Sequence, residues 1–228
     1  RLDESEDSEV DSDHIKTEKL MARPYEMPNE VTLKTTNVFN DFKKSVESFG
    51  PDLLAVSCTE DMFELSIALL KTVRMYKIPT IMGGVFATFA PDLALSFDEI
   101  DIVCKGEGED ALRTLCRRMR TGKRYDDISN LWIKNKDGSI KTNPTTMVDM
   151  DVNPLIDMSI FEEARFYRPM GGIVYRMFPV ETFRGCPYKC AFCNSPSQEA
   201  MYREETGESY IRRKSFENMR KELLFYKE

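Results

Sequence analysis

The sequence predicts an α/β protein built on a Rossmann- or flavodoxin-like parallel sheet. Three observations carry this. Between residues 51 and 120, short apolar runs alternate with stretches of helical periodicity. Each apolar run ends in small, polar or glycine-rich residues. A further apolar segment then leads into a tight cysteine cluster that precedes helical patterning.

Taken in order, Leu53 to Val56 follows Pro51-Asp52 and suits a buried strand. Residues 61–76 place Met62, Leu65, Ile67, Ala68, Leu69, Val73 and Met75 on one broad apolar face of a helix. Ile78 to Met82 is a second strand, broken by Gly83-Gly84, and Pro91 to Phe97 a short helix. Ile100 to Cys104 is a third strand, ending in Gly106-Glu107-Gly108. Glu109 to Arg120 is a helix with Leu112, Leu115, Cys116 and Met119 on one side. Strand and helix in alternation imply a doubly wound parallel sheet with crossover helices.

Ligands of such sheets bind at the carboxyl ends of the strands. Those ends are Ser57-Cys58-Thr59, Gly83-Gly84 and Lys105-Gly106-Glu107-Gly108. Glycines there let backbone come close to a ligand, although spacing alone fits ordinary tight turns equally well.

Leu131–Ile133 and Ile140, joined through Asp137-Gly138, form a hairpin. Trp132 reads as a packing residue. Residues 143–172 are a connector with one short helix near Ile160–Phe166, and Pro179 to Phe183 is a new strand. Residues 215–227 form a last helix, capped by Ser215, with Phe216, Met219, Leu223 and Phe225 buried. Arg212-Arg213-Lys214 reads as a solvated basic turn. Glu107 and Glu109 are candidate acid–base groups, or acids favoured at a helix N-terminus.

The chain has 228 residues, 41% of them hydrophobic and 31% charged, enough for a sizeable core. The net charge of −7 is concentrated in residues 1–14, with seven acids against one base. That segment reads as a disordered, solvated tail. There is no basic stripe for nucleic acid, no transmembrane run and no secretory signal, and six cysteines are too sparse for a secreted disulfide framework, so the expected compartment is the reducing cytoplasm. The chain begins with Arg1 and is expected to be a piece of a longer protein.

Six cysteines are present. Cys58, Cys104 and Cys116 stand singly in apolar patterns and read as small core residues. Cys186, Cys190 and Cys193 form C-x3-C-x2-C on a loop bent by Gly185 and Pro187. Three clustered thiolates suit zinc or an iron–sulfur cluster. Zinc would need a fourth ligand, and the single histidine is His14 in the acidic tail. A disulfide with a spare thiol is the third reading. A 4Fe–4S cluster held by three thiolates keeps one open iron, able to bind a small molecule and pass it one electron.

The segment Gly185-Cys186-Pro187-Tyr188-Lys189-Cys190-Ala191-Phe192-Cys193 resembles the cluster loop of the radical S-adenosylmethionine (radical SAM) superfamily. The resemblance implies that Cys186, Cys190 and Cys193 ligate a 4Fe–4S cluster and that Phe192 packs near the adenine of S-adenosylmethionine. In that family the open iron is chelated by S-adenosylmethionine, and reduction yields a 5′-deoxyadenosyl radical that abstracts hydrogen from the substrate. The strand, loop and helix would open the family's partial TIM-type barrel.

Upstream, residues 51–57, 79–88 and 103–109 are similar to the cobalamin-binding domain of B12-binding radical SAM proteins. The resemblance implies cobalamin at Ser57, Thr59, Gly83 and Gly84, with Gly106, Glu107 and Gly108 beside them. The Asp-x-His-x-x-Gly loop of some cobalamin proteins is absent, so no histidine from it would ligate cobalt.

The implied domains are an acidic tail and lead-in (1–44), a cobalamin-binding-like domain (45–145), a linker (146–177) and the start of a radical SAM domain (178–228). The implied function is a metal-binding radical SAM enzyme, a transferase moving a methyl group where cobalamin binds. Its partners would be a small-molecule or biosynthetic-intermediate substrate and an electron donor such as flavodoxin or ferredoxin. With 35 residues after Cys193, the chain alone is expected to be inactive. The alternatives are a methylthiotransferase-like radical SAM enzyme with a second cluster, and a non-enzymatic iron–sulfur or zinc module.

Overall fold

A computed structural model describes Arg23, Tyr25, Glu26 and residues 36–227. The acidic tail and His14 lie outside the described residues. The chain divides into two compact units, one holding Thr36–Asn153 with Phe183–Lys214, the other Pro154–Thr182 with Ser215–Glu228.

The larger unit is organised by a five-stranded sheet. Its strands are β1 (Leu54–Ser57), β2 (Thr80–Gly83), β3 (Ile102–Cys104), β4 (Leu131–Lys134) and β5 (Ile140–Lys141), ordered as in the chain. β1, β2 and β3 pair in parallel, with Ala55 opposite Ile81 and Ile81 opposite Ile102. β4 and β5 continue antiparallel, so the sheet is mixed. Among the described strands the winding runs in one direction. The Asp-Gly hairpin is present as the sequence implies: Gly138 has φ +83, and the Asn135 and Gly138 amides donate to the Ser139 and Asn135 carbonyls.

Five helices accompany this sheet: α1 (Val38–Phe49), α2 (Phe63–Val73), α3 (Val85–Phe89), α4 (Pro91–Ser96) and α5 (Glu109–Arg120). Two separate apolar clusters show that both sheet faces are covered. One gathers Phe63, Ile67 and Leu70 of α2 with Ala87, Ala94, Met82 and Val103. The other gathers Ala111 and Leu115 of α5 with Ile81, Ile102, Leu131 and Ile133. The middle strands therefore read as unbroken apolar runs, as doubly covered parallel strands do.

Two of these five helices were not legible in the sequence. α1 is capped by Asn37, whose side chain accepts the Phe39 and Asn40 amides at 3.1 Å, and is ended by Gly50 in the left-handed conformation. α3 is five residues of largely apolar chain with no polar face for periodicity to reveal.

The same unit contains β8 (Phe183–Arg184), α6 (Ser195–Thr206) and β9 (Arg212–Arg213). β8 is shorter than the strand expected from Pro179 and pairs antiparallel with β9, Arg184 opposite Arg212.

In the smaller unit, β6 (Tyr167–Met170) and β7 (Ile173–Arg176) form a hairpin about Gly171-Gly172, both at positive φ. The connector reading overlooked this Gly-Gly signal. The short helix expected near residue 160 is two single 3-10 turns, Met158–Ile160 and Glu163–Phe166. α7 (Phe216–Lys227) is capped by the Ser215 hydroxyl, as expected. Its burial differs from expectation: Phe216 is 76% exposed, with Leu223 and Phe225 also exposed, while Glu222 is buried. Phe178 stacks on Tyr226 and meets Phe166, and the exposed Phe225 touches this aromatic cluster only through an edge contact with Tyr226.

Candidate functional site

A cavity of about 700 Å³ opens at the carboxyl ends of β1, β2 and β3. This volume lies in the range of small-molecule sites, about 300–1,000 Å³. Its apolar floor is Ala55, Val56 and Ile81, and one wall is the Leu112, Arg113 and Cys116 face of α5. Ser57, Gly83, Gly84, Gly106, Glu107 and Gly108 all line it. Thr59 does not: it caps a 3-10 turn outside the lining, its hydroxyl bonded to Asp61. The wall opposite the strand ends comes from far along the chain, from Arg184, Gln198 and Tyr210.

Two of these glycines are also required by the protein's own packing. Gly84 has φ +91, and a Cβ there would lie 2.7 Å from the Cys58 carbonyl oxygen. Gly106 has φ +86, and a Cβ there would fall on the Tyr202 hydroxyl. Both positions are closed by the protein's own packing. Thr88, buried on α3, links the two strand ends by donating to Gly84 O at 2.9 Å and accepting the Gly106 amide at 3.1 Å. Sequence reasoning missed Thr88, and also Asn130, which holds the backbone behind Glu107. Asn130 has φ +68, and its side-chain amide donates to Glu107 O at 2.7 Å and to Thr146 O at 3.0 Å.

Glu107 is neither an acid facing open solvent nor a simple helix-dipole acid. Its side chain is 3% exposed. Oε1 accepts from Arg184 Nη1 at 2.7 Å and from Arg212 Nη2, and Oε2 accepts the Val148 amide at 2.7 Å. Arg184 also reaches Glu109 at 2.7 Å, and Arg212 donates to Val148 O at 2.8 Å. The solvated turn expected at Arg212 is thus in part a buried ion pair: a carboxylate removed from water needs such partners.

Helix α6 is fixed on the same loop. Tyr202, fully buried, stacks on Tyr210 with centroids 4.4 Å apart. Lys105 pairs with Glu205 at 2.5 Å, and Glu199 accepts the Tyr210 amide at 2.7 Å. Lys105 also lies over the half-buried ring of Trp132, 5.3 Å from its centroid.

The isolated cysteines differ from one another. Cys58 and Cys104 are buried, as expected, whereas Cys116 is exposed on the cavity wall. Burial, with Glu109 nearby, pushes the Cys104 thiol up to about 12. Cys186, Cys190 and Cys193 are free thiols on one loop, Cys186 half-buried and the other two exposed. The Cys193 sulfur is hydrogen-bonded to the Ser195 hydroxyl at 3.4 Å and accepts the Ser195 amide at 3.4 Å. The Ser195 hydroxyl and amide hold this thiol below its ordinary value. Its place at the N-terminus of α6 acts in the same sense.

These donors fit a thiophilic metal group in kind and accessibility. Among the described residues, however, no group of three or more His, Cys, Asp or Glu side chains is gathered closely enough to hold a metal ion. Phe192 is 94% exposed. No helix among the described residues is long and apolar enough to cross a membrane.

The three strand ends that form this cavity lie within residues 29–116, which match the family model of the B12 binding domain. The chain is similar to other proteins over 70–82% of its length. It is 26% identical over 167 residues to an uncharacterised methyltransferase of Pyrococcus horikoshii, covering 70% of this chain and 35% of that protein. It is 23% identical over 172 residues to 4′-phospho-dehydrooxetanocin synthase of Priestia megaterium, covering 72% and 22%. Its fold matches that of the cobalamin-dependent S-adenosylmethionine radical enzyme OxsB with aqua-cobalamin and S-adenosylmethionine bound, at TM-score 0.61 and 21% identity over 82% of this chain and 24% of that one. It also matches the radical S-adenosylmethionine methyltransferase TsrM from Kitasatospora setae, at TM-score 0.53 and 18% identity over 81% and 37%. The chain spans about a third or less of the length of these curated relatives.

Proposed function

We propose that this chain is the corrinoid-binding and cluster-bearing part of a cobalamin-dependent radical SAM methyltransferase. The observation that carries the reading is the composite cavity: strand-end residues of a B12-binding-type domain form one side, and residues flanking a C-x3-C-x2-C loop form the other. The cavity would receive the corrinoid against its apolar floor, with Ser57, Glu107 and Arg184 as the polar groups that fix orientation. Cys186, Cys190 and Cys193 would hold the cluster, with Ser195 favouring the thiolate of Cys193. When bound, cluster and cobalamin would supply one-electron cleavage of S-adenosylmethionine and a methyl carrier. Phe192, on the loop surface, is available to cover the adenine. An electron donor of the flavodoxin or ferredoxin kind would approach the cysteine loop.

The test is anaerobic reconstitution of the chain with iron and sulfide, alone and with hydroxocobalamin. Low-temperature EPR is recorded with and without S-adenosylmethionine, and corrinoid absorbance is followed after desalting. A cluster signal that needs all three cysteines and shifts with S-adenosylmethionine, together with retained corrinoid, is expected. Stoichiometric zinc with no cluster, or corrinoid lost on desalting, would overturn the corresponding half.

A further inference from the structure

We infer that Glu107 is a positioning residue that sets the cysteine loop against the cavity, acting through Arg184 and Arg212. The inference deepens the function proposed above and rests on it only for what the loop carries.

Arg184 lies two residues before Cys186, and Arg212 is its register partner across the β8–β9 pair. Both guanidiniums meet on one oxygen of Glu107, while the other oxygen is held by the Val148 amide. Glu107 itself stands between Gly106 and Gly108, on the cavity rim. One buried carboxylate therefore fastens the ribbon that enters and follows the cysteine loop to the rim of the ligand cavity. Arg184 lines that cavity as well, so the group that seats the loop also faces the ligand. Arg184 and Arg212 would repel each other without the shared anion, and β8 and β9 have only two residues each with which to resist.

The test compares wild type with Glu107→Gln and Glu107→Asp, and with Asp110→Asn, which alters only an exposed pair with Arg113. Amide hydrogen exchange is measured on the cofactor-free chain. Glu107→Gln is expected to speed exchange of residues 183–186 and 210–213 at least tenfold while β1 to β3 stay protected. Glu107→Asp should recover part of the protection, and Asp110→Asn should leave it unchanged. Exchange within twofold of wild type in a folded Glu107→Gln chain would overturn the inference. If that variant loses protection throughout, Arg184→Gln, Arg212→Gln and their double variant decide. Non-additive effects in residues 183–186 support the shared anchor, and simple additivity overturns it. In reconstituted protein, Glu107→Gln should keep its cluster content while the S-adenosylmethionine-dependent EPR shift shrinks or broadens. An unchanged shift overturns the positioning role, whereas absence of a cluster in the wild type counts against the proposed function and leaves the exchange result standing.

Discussion

Gly84 lies directly against the backbone of Cys58: a Cβ on it would come within 2.7 Å of the Cys58 carbonyl oxygen and 2.9 Å of its amide nitrogen. Both neighbours are main chain and cannot rotate away. The φ of +91 is also one that L side chains rarely adopt. Gly84→Ala is therefore expected to cost at least about 2 kcal/mol, read as a lower denaturant midpoint at unchanged slope. Any shift of Ser57 and Gly84 that relieves the clash would move two residues that line the cavity, weakening whatever binds there.

Gly106→Ala presents a different obstacle, the end of one side chain. The new methyl would meet the Tyr202 hydroxyl, so Tyr202→Phe should return part of the lost stability. The double variant is expected to be less destabilised than the sum of the singles, with a coupling of about 1 kcal/mol. Strict additivity would show that the clash is relieved elsewhere.

The thiols should separate by pH. Cys193, favoured as thiolate by Ser195, is expected to react with iodoacetamide at lower pH than an ordinary cysteine, and Ser195→Ala should move its titration upward. Cys104, held as thiol up to about 12, should react last. Its raised value has a stability consequence. The unfolded chain ionises near 9 while the folded chain does not, so the contribution is complete below pH 9 and fades towards pH 12. The stability gap between wild type and Cys104→Ala should narrow across that window.

Leu112 and Leu115 are neighbours on α5 with opposite assignments. Leu115 is fully buried against the sheet, and Leu115→Ala should cost about 2–5 kcal/mol. Leu112 is 36% exposed on the cavity wall, and its truncation should cost under about 1 kcal/mol while changing ligand affinity. Thermal melts beside corrinoid titration distinguish the two.

Elements governed by local periodicity were legible in the sequence. The middle strands, α2 and α5 fall close to where the apolar spacing puts them, because burial on both sheet faces writes itself into the chain. The strand-end site was also legible, since a parallel sheet presents its loops on one edge, and of Ser57, Thr59, Gly83, Gly84, Gly106, Glu107 and Gly108 all but Thr59 line the cavity. What depends on distant partners was not. Glu107 meets Arg184 and Arg212 from 77 and 105 residues away, and no local pattern distinguishes such a glutamate from a helix-leading acid. α7 shows the converse: periodicity reveals an apolar stripe in Phe216, Leu223 and Phe225, but not which residues meet another surface.

The hairpin after β3 settles how the sheet stops. The parallel strands would otherwise end on Ile102–Cys104, three buried residues with an unsatisfied row of amides and carbonyls along one side. β4 takes that row by reversing direction, and β5 finishes with two residues among Lys134, Lys136 and Lys141. So short and cationic a border offers a second chain little to pair with. Accretion of further copies is discouraged there, and β3, the last strand to reach the cavity, is kept two strands inward from that border.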